Sequence, residues 1–317
     1  AMTKAGPHQA APAGGDVPVM RAHLGSAPRG VSFQGVGRLV ASEMLRGSRA
    51  APGGPDCPLT RGEFEATVTA MQAEREFDLV IYGATGFTGG LVADYFAQRA
   101  SRSSLRVALA GRNAEKLSAL RERLCTSHPA AADFAVVTAS TGEPESLDSM
   151  ASRTRLVLST AGPFVEHGPP VVAACVEHGT HWLDITGEPK FVHGLLKEHH
   201  ARAVEKNCMV VSCCGFDSIP HDLGAFFAVR ELDAEGPVQV DGFIQFEGKI
   251  SGGTWNSALG AIGDVRGSLA KHPRAEAGEG RRVRLGAGKL HRDAEFGWVA
   301  PMPTIDPEIV LRSAASL

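Results

Sequence analysis

Between Leu79 and Phe96 the chain strings together the residue types that a dinucleotide site needs. An apolar, β-branched run, Leu79-Val80-Ile81-Tyr82, leads into glycines at 83, 86 and 89 and then into Leu91-Val92-Ala93-Asp94-Tyr95-Phe96, whose pattern is helical. A strand, a glycine turn and a helix in that order aim backbone amides into the turn, and glycines let a pyrophosphate come close to the backbone. Gly83, Thr85, Gly86, Phe87, Thr88 and Gly89 are the residues this reading assigns to the ligand. With 37 glycines in 317 residues, a chance GxxGxxG arises easily. Its position after a buried-type strand and before a helix is the context that gives the motif meaning, with a purely structural turn as the alternative.

The same logic separates the two common nicotinamide dinucleotides. An acid at the end of the second strand accepts hydrogen bonds from the adenosine ribose, but here that strand ends Leu109-Ala110-Gly111-Arg112-Asn113. A guanidinium binds a 2′-phosphate through two parallel charge-assisted hydrogen bonds, so Arg112 argues for NADP, and Lys116 lies one turn further on. The plain alternative is a solvated residue at a helix start. Ala161, Gly162 and Pro163 follow the fourth strand, where small residues let the backbone pass close to the nicotinamide ribose. Asp184-Ile185-Thr186-Gly187-Glu188 follow the fifth strand. Turn and capping chemistry also explains both stretches.

Hydride transfer further needs a group that settles a proton. The two tyrosines, Tyr82 and Tyr95, both lie in the first strand-helix unit, so no Tyr-xxx-Lys pair exists. Asp184, Glu188, Asp217 and His221 are the acid/base candidates by position, and no catalytic residue is assigned. Asp217-Ser218-Ile219-Pro220 reads better as a helix N-cap, and His221 on an exposed first turn is more often inert. His178 with His181 and His199 with His200 lack a third ligand, and adjacent helical residues project about 100 degrees apart, so no metal is expected.

These residues need a scaffold. Strands are expected at 78–82, 106–110, 134–137, 156–160, 182–185 and 209–213, with helices at 87–99, 114–126, 144–153, 168–178 and 188–206. Strands alternating with helices define an α/β fold, a doubly wound parallel Rossmann sheet, over residues 75–235. Residues 236–317 read as part of a smaller mixed α+β domain that looks truncated. It begins with the alternating strand Val238–Phe246, passes through a charged loop at 266–289, and ends in Ile309-Val310-Leu311-Arg312, which reads as the start of a strand. Residues 1–74 are rich in Ala, Gly, Pro and Ser, and no regular structure is expected there. Their arginines and few acids fit either a transit peptide or an extension without function.

A net charge of −3 and a pI of about 6.5 give no footprint for nucleic acid. No apolar run reaches the roughly 18 residues of a membrane span. The six cysteines, including vicinal Cys213 and Cys214, lack zinc spacing and fit reduced core thiols.

Taken in order, GATGFTG, LAGRN, STAGPF, DITGE and CGFDSIPHDLG resemble the saccharopine dehydrogenase-like oxidoreductases, a family that includes the trans-acting enoyl reductases of glycolipid synthesis. The resemblance covers about residues 75–265, and Gly215–Pro220 and Gly253-Thr254-Trp255 are its most specific words. It implies NADP, a Rossmann domain followed by a substrate domain, and redox work often tied to lipids. Two departures stand out: Ser140 lies where similar proteins tend to place an Asp near the adenine, and family members continue roughly a hundred residues further. The function expected is NADP-dependent reduction of a lipid-type or other apolar substrate, with an inactive NADP-binding sensor or scaffold as the alternative. Expected partners are a small-molecule or lipid substrate and a second copy in a homodimer. The expected setting is cytoplasmic or organellar, mitochondrial if the leader is a transit peptide, with peripheral membrane or lipid-droplet association open.

Overall fold

The computed structural model describes residues 19–24, 75–216, 218–232, 238–244, 283, 289–294, 296–300 and 305–316. In chain order these hold β1 (Val19–Leu24), β2 (Phe77–Tyr82), α1 (Phe87–Ala97), β3 (Val107–Gly111), α2 (Ala114–Ser127) and β4 (Ala135–Thr138). Next come α3 (Pro144–Ser152), β5 (Thr154–Ser159), α4 (Phe164–Glu177), β6 (His181–Asp184), α5 (Pro189–Glu205) and β7 (Val210–Val211). The remainder are α6 (Ile219–Glu231), β8 (Gln239–Ile244), β9 (His291–Asp293), β10 (Gly297–Val299) and α7 (Asp306–Ser316).

Strands β2 to β7 form one parallel sheet in the order β4-β3-β2-β5-β6-β7. The chain winds outward from β2 through β3 to β4, then crosses back to lay β5 on the other side of β2. The winding reverses between β2 and β5, and an open α/β sheet takes its ligands in the crevice beyond the carboxyl ends at such a point. The expected doubly wound fold is therefore present, with every one of the six strands within two residues of its expected ends.

Side chains alternate across the sheet with a period of two. From β2, Val80 and Tyr82 join Leu147, Met150, Val171, Val172 and Phe191 of α3, α4 and α5 in one core layer. Leu79 and Ile81 join Ala93, Ala97, Leu117, Leu120 and Leu124 of α1 and α2 in the other. With helices on both faces, β3 is buried along its whole length.

Several expectations change. The last strand, expected over 209–213, is only Val210–Val211, because Cys213 takes a left-handed backbone (φ 63) that ends the ladder. Helix α4 begins at Phe164 and not at 168, and it carries Pro169 and Pro170 inside it. Ile309-Val310-Leu311-Arg312 is helical, within α7, not the start of a strand. Asp306, Pro307 and Glu308 suit a first helical turn, and Ile305 and Leu311 are buried, so an amphipathic helix serves that apolar run better than an unpaired strand. Ser313 Oγ donates to Asp222 Oδ2 of α6 at 3.0 Å, and His193 Nε2 of α5 meets Glu308 Oε2 at 2.9 Å.

The leading stretch expected to lack regular structure holds strand β1, which pairs with β8 in a two-stranded sheet. The rest of 1–74 lies outside the described residues, as do Asp217, Gly253-Thr254-Trp255 and most of the loop at 266–289. Strand β8 runs from 239 to 244 where 238–246 was expected, and β9 and β10 form an antiparallel pair.

At the amino edge of the sheet, Asp78 Oδ2 accepts from the Arg106 amide at 3.0 Å and from Arg106 Nε at 3.1 Å, while Oδ1 accepts from Arg106 Nη2 at 3.1 Å. These hydrogen bonds, with the charges of Arg106 and Arg155, hold the Asp78 carboxyl at about 2, below its usual 3.8. A carboxyl depressed on folding stabilises fully above its unfolded value and loses that contribution as pH falls towards the folded one. We expect about 2 kcal/mol of stability to disappear between roughly pH 4 and pH 2, and Asp78→Asn to remove that dependence. Urea unfolding across that pH range checks it: an unchanged slope in the variant would contradict the assignment.

Candidate functional site

The glycine turn sits at the carboxyl end of β2, against the loop that leaves β5. Gly83 has a left-handed backbone, with φ of 82°. A Cβ on it would lie 2.9 Å from Ala161 Cβ and 3.0 Å from the Ala161 amide nitrogen. A Cβ on Gly89 would overlap the Gly83 carbonyl and lie 2.8 Å from Thr160 Oγ1. Thr160 closes the arrangement: its amide donates to Tyr82 O at 2.9 Å, and its hydroxyl lies 3.2 Å from Tyr82 O and 3.3 Å from Gly83 O. The two loops are thus packed closely, with only the Ala161 methyl and the Thr160 side chain between their backbones.

What the turn presents to solvent is the start of α1. Gly86 is its N-cap and provides no capping side chain. Two neighbouring helix starts on this edge differ. At α2, Asn113 Oδ1 accepts from the Lys116 amide at 2.8 Å. At α4, Glu188 Oε1 and Oε2 accept from the amides of Phe164 and Val165 at 3.0 and 2.9 Å. Of the three helices that follow β2, β3 and β5, α1 alone keeps its first-turn amides clear of a capping side chain, and such an end attracts phosphate through oriented amides and the helix dipole. Thr85, Gly86 and Phe87 are exposed beside it, Thr88 is half-buried and Gly89 is buried.

Arg112 stands directly beyond β3 and is exposed, and among the described residues its guanidinium has no hydrogen bond or ion pair. It lies close enough to Tyr82 for its charge to pull the phenol down, against the stronger upward push of burial. Lys116 is exposed as well. The structure therefore brings Gly83, Thr85, Gly86, Phe87, Thr88, Gly89, Ala161, Gly162, Pro163 and Arg112 to one edge of one sheet. On that edge the Ser140 amide donates to Ser146 Oγ at 3.0 Å, within a turn.

The acid/base candidates come out otherwise. Asp184 is fully buried, and four groups donate to its carboxylate: Trp182 Nε1 at 2.7 Å, Ser212 Oγ at 2.6 Å, and the Thr186 and Cys213 amides at 2.9 and 3.2 Å. Burial pushes this carboxyl up and those four hydrogen bonds pull it down. Glu188 is committed to the start of α4. Both are structural by geometry, while His221 is half-buried on the first turn of α6. Thr160, which the sequence places at the end of the fourth strand without assigning it to the ligand, joins the site by fastening the two loops. The long-range acceptor roles of Asp184 and Glu188 had no signal in the sequence, since their partners lie up to 29 residues away.

Among the described residues no three His, Cys, Asp or Glu side chains gather as metal ligands. Among the described residues Cys125, Cys175, Cys208, Cys213 and Cys214 form no disulfide. Burial pushes the Cys208 thiol up to about 11 and raises Cys175 and Cys214 as well, so these groups stay protonated and unreactive at neutral pH.

Fold and site together define a dinucleotide-binding Rossmann domain with a basic residue where an NAD domain places an acid. Within that class, residues 79–211 match the family model described as the saccharopine dehydrogenase NADP binding domain, in keeping with NADP as the cofactor. A relative from Arabidopsis thaliana, named as a mitochondrial saccharopine dehydrogenase-like oxidoreductase, is 36% identical over 261 residues, 78% of this chain and 57% of that one. A trans-acting enoyl reductase of Mycobacterium tuberculosis is 43% identical over 164 residues, 52% of this chain and 38% of that one. The chain thus spans about half or less of the length of these relatives.

Gly89→Ala is expected to cost about 1–3 kcal/mol through overpacking against Gly83 and Thr160, and to abolish saturable NADPH binding. Thermal unfolding and a fluorescence titration check both effects; a variant as stable and as tight as the parent would contradict the packing described.

Proposed function

We propose that this chain is an NADP-dependent oxidoreductase of the saccharopine dehydrogenase-like group, acting on a lipid-type or other apolar substrate. The observation that carries the reading is the uncapped start of α1 behind a turn with no room for a Cβ at Gly83 or Gly89, with Arg112 beyond the neighbouring strand. The turn residues would hold the pyrophosphate, Arg112 with Lys116 the 2′-phosphate, and Ala161-Gly162-Pro163 the nicotinamide side. Bound NADPH supplies a hydride. The apolar substrate class draws support from the relative whose printed name is trans-acting enoyl reductase, and an organellar setting from the relative named mitochondrial.

One observation favours a second reading, an NADP-binding sensor without turnover. Asp184 and Glu188 are both consumed in holding backbone, which leaves His221 as the remaining described candidate for moving a proton. NADPH oxidation followed at saturating cofactor with enoyl and keto thioesters distinguishes the two: turnover supports the enzyme, and tight binding without turnover on any of them supports the sensor.

Arg112→Ala is expected to weaken NADPH binding by about tenfold or more, the scale of one lost charged hydrogen-bonding partner, and to leave NADH unchanged. Parallel titrations with both nucleotides test it. Equal losses would show that Arg112 does not read the 2′-phosphate.

A further inference from the structure

We propose that Glu188 is a positioning residue for the nicotinamide half of the cofactor, acting through the Ala161-Gly162-Pro163 loop; the inference rests on reading this edge as the NADP seat. Helix α4 starts from Pro163, an extended N-cap with no side chain to satisfy the first turn. Its Phe164 and Val165 amides are taken instead by the two carboxylate oxygens of Glu188, at 3.0 and 2.9 Å, from the N-cap position of α5. A carboxylate with one oxygen on each of two adjacent amides fixes the helix start in direction as well as position, and the helix dipole favours its charge.

Glu188 is itself held. Its amide donates to Thr186 Oγ1 at 3.1 Å, the Thr186 amide donates to Asp184 Oδ1 at 2.9 Å, and Asp184 receives Ser212 Oγ at 2.6 Å and the Cys213 amide at 3.2 Å. The hydrogen bonds run without a break from beyond β7, past the end of β6, to the start of α4. From there the loop reaches Ala161, whose amide and Cβ sit where a Gly83 side chain would stand. A shift at Phe164 therefore falls on Pro163 and Gly162, while Ala161 stays packed against Gly83.

This placement has a chemical consequence. By filling the α4 start, Glu188 removes one alternative anion site beside the glycine turn. It also keeps a negative charge on the helix start and off the hydride path, since both oxygens are engaged. Its influence is confined to the loop that borders the nicotinamide side, whereas the adenine half meets the glycine turn, Arg112 and Lys116.

That division supplies the test. The full chain and its Glu188→Ala and Glu188→Gln variants are titrated calorimetrically with NADPH and with adenosine 2′,5′-bisphosphate, which carries only the adenine half. Glu188→Ala should weaken NADPH about tenfold and Glu188→Gln about threefold, because the amide oxygen keeps one of the two hydrogen bonds. Neither should change the bisphosphate by more than about twofold. Equal losses on both probes would show a general structural role and overturn the proposal, as would unchanged NADPH binding. If the alanine variant does not fold, the glutamine variant decides alone by the same two outcomes. A parent chain that binds neither probe would overturn the cofactor reading itself, a result distinct from any difference among variants.

Discussion

Everything at the carboxyl edge depends on a contact in which side chains have been removed. The turn after β2 and the loop after β5 are packed closely, with Ala161 where the Gly83 side chain would be and the Gly83 carbonyl where the Gly89 side chain would be. Thr160 fastens the two by hydrogen bonds to Tyr82 and Gly83. Because β2 and β5 are hydrogen-bonded neighbours, the contact lies at the point where the sheet reverses its winding. The result is a shallow seat floored by backbone, with a helix start opening into it.

Capping side chains close the starts of α2 and α4, from Asn113 next door and from Glu188 across the sheet. Asp184, buried and satisfied by four donors, gathers the ends of β6 and β7 and feeds the same brace. Leaving a buried carboxylate without such partners would cost several kcal/mol, so these contacts are obligatory once the aspartate is placed there. Acidic residues that by position invite a catalytic role are spent on architecture.

The parts legible in the sequence are those with a local cause. Apolar runs of strand length, separated by helical patterns, announced the parallel sheet, and the glycines announced the turn. Arg112 was visible because it replaces an acid at a position that topology defines. The parts that were not legible have distant causes. Nothing near Phe164 shows that α4 begins there, because the cap comes from Glu188. Nothing in Met209–Cys213 shows that the strand stops at Val211, because the left-handed turn at Cys213 is held by Asp184. Ile309–Leu311 has the composition of a strand, and its helix is explained only by the buried side it presents near α6.

The central claim is that this backbone-floored edge is the NADP seat, and amide hydrogen exchange of the full chain with and without NADP+ tests it most directly. The account predicts slowed exchange at residues 83–90 and 160–165, with Ser103–Val107 at the opposite edge unchanged. Protection confined to the opposite edge, or none at the glycine turn at saturating nucleotide, would contradict it.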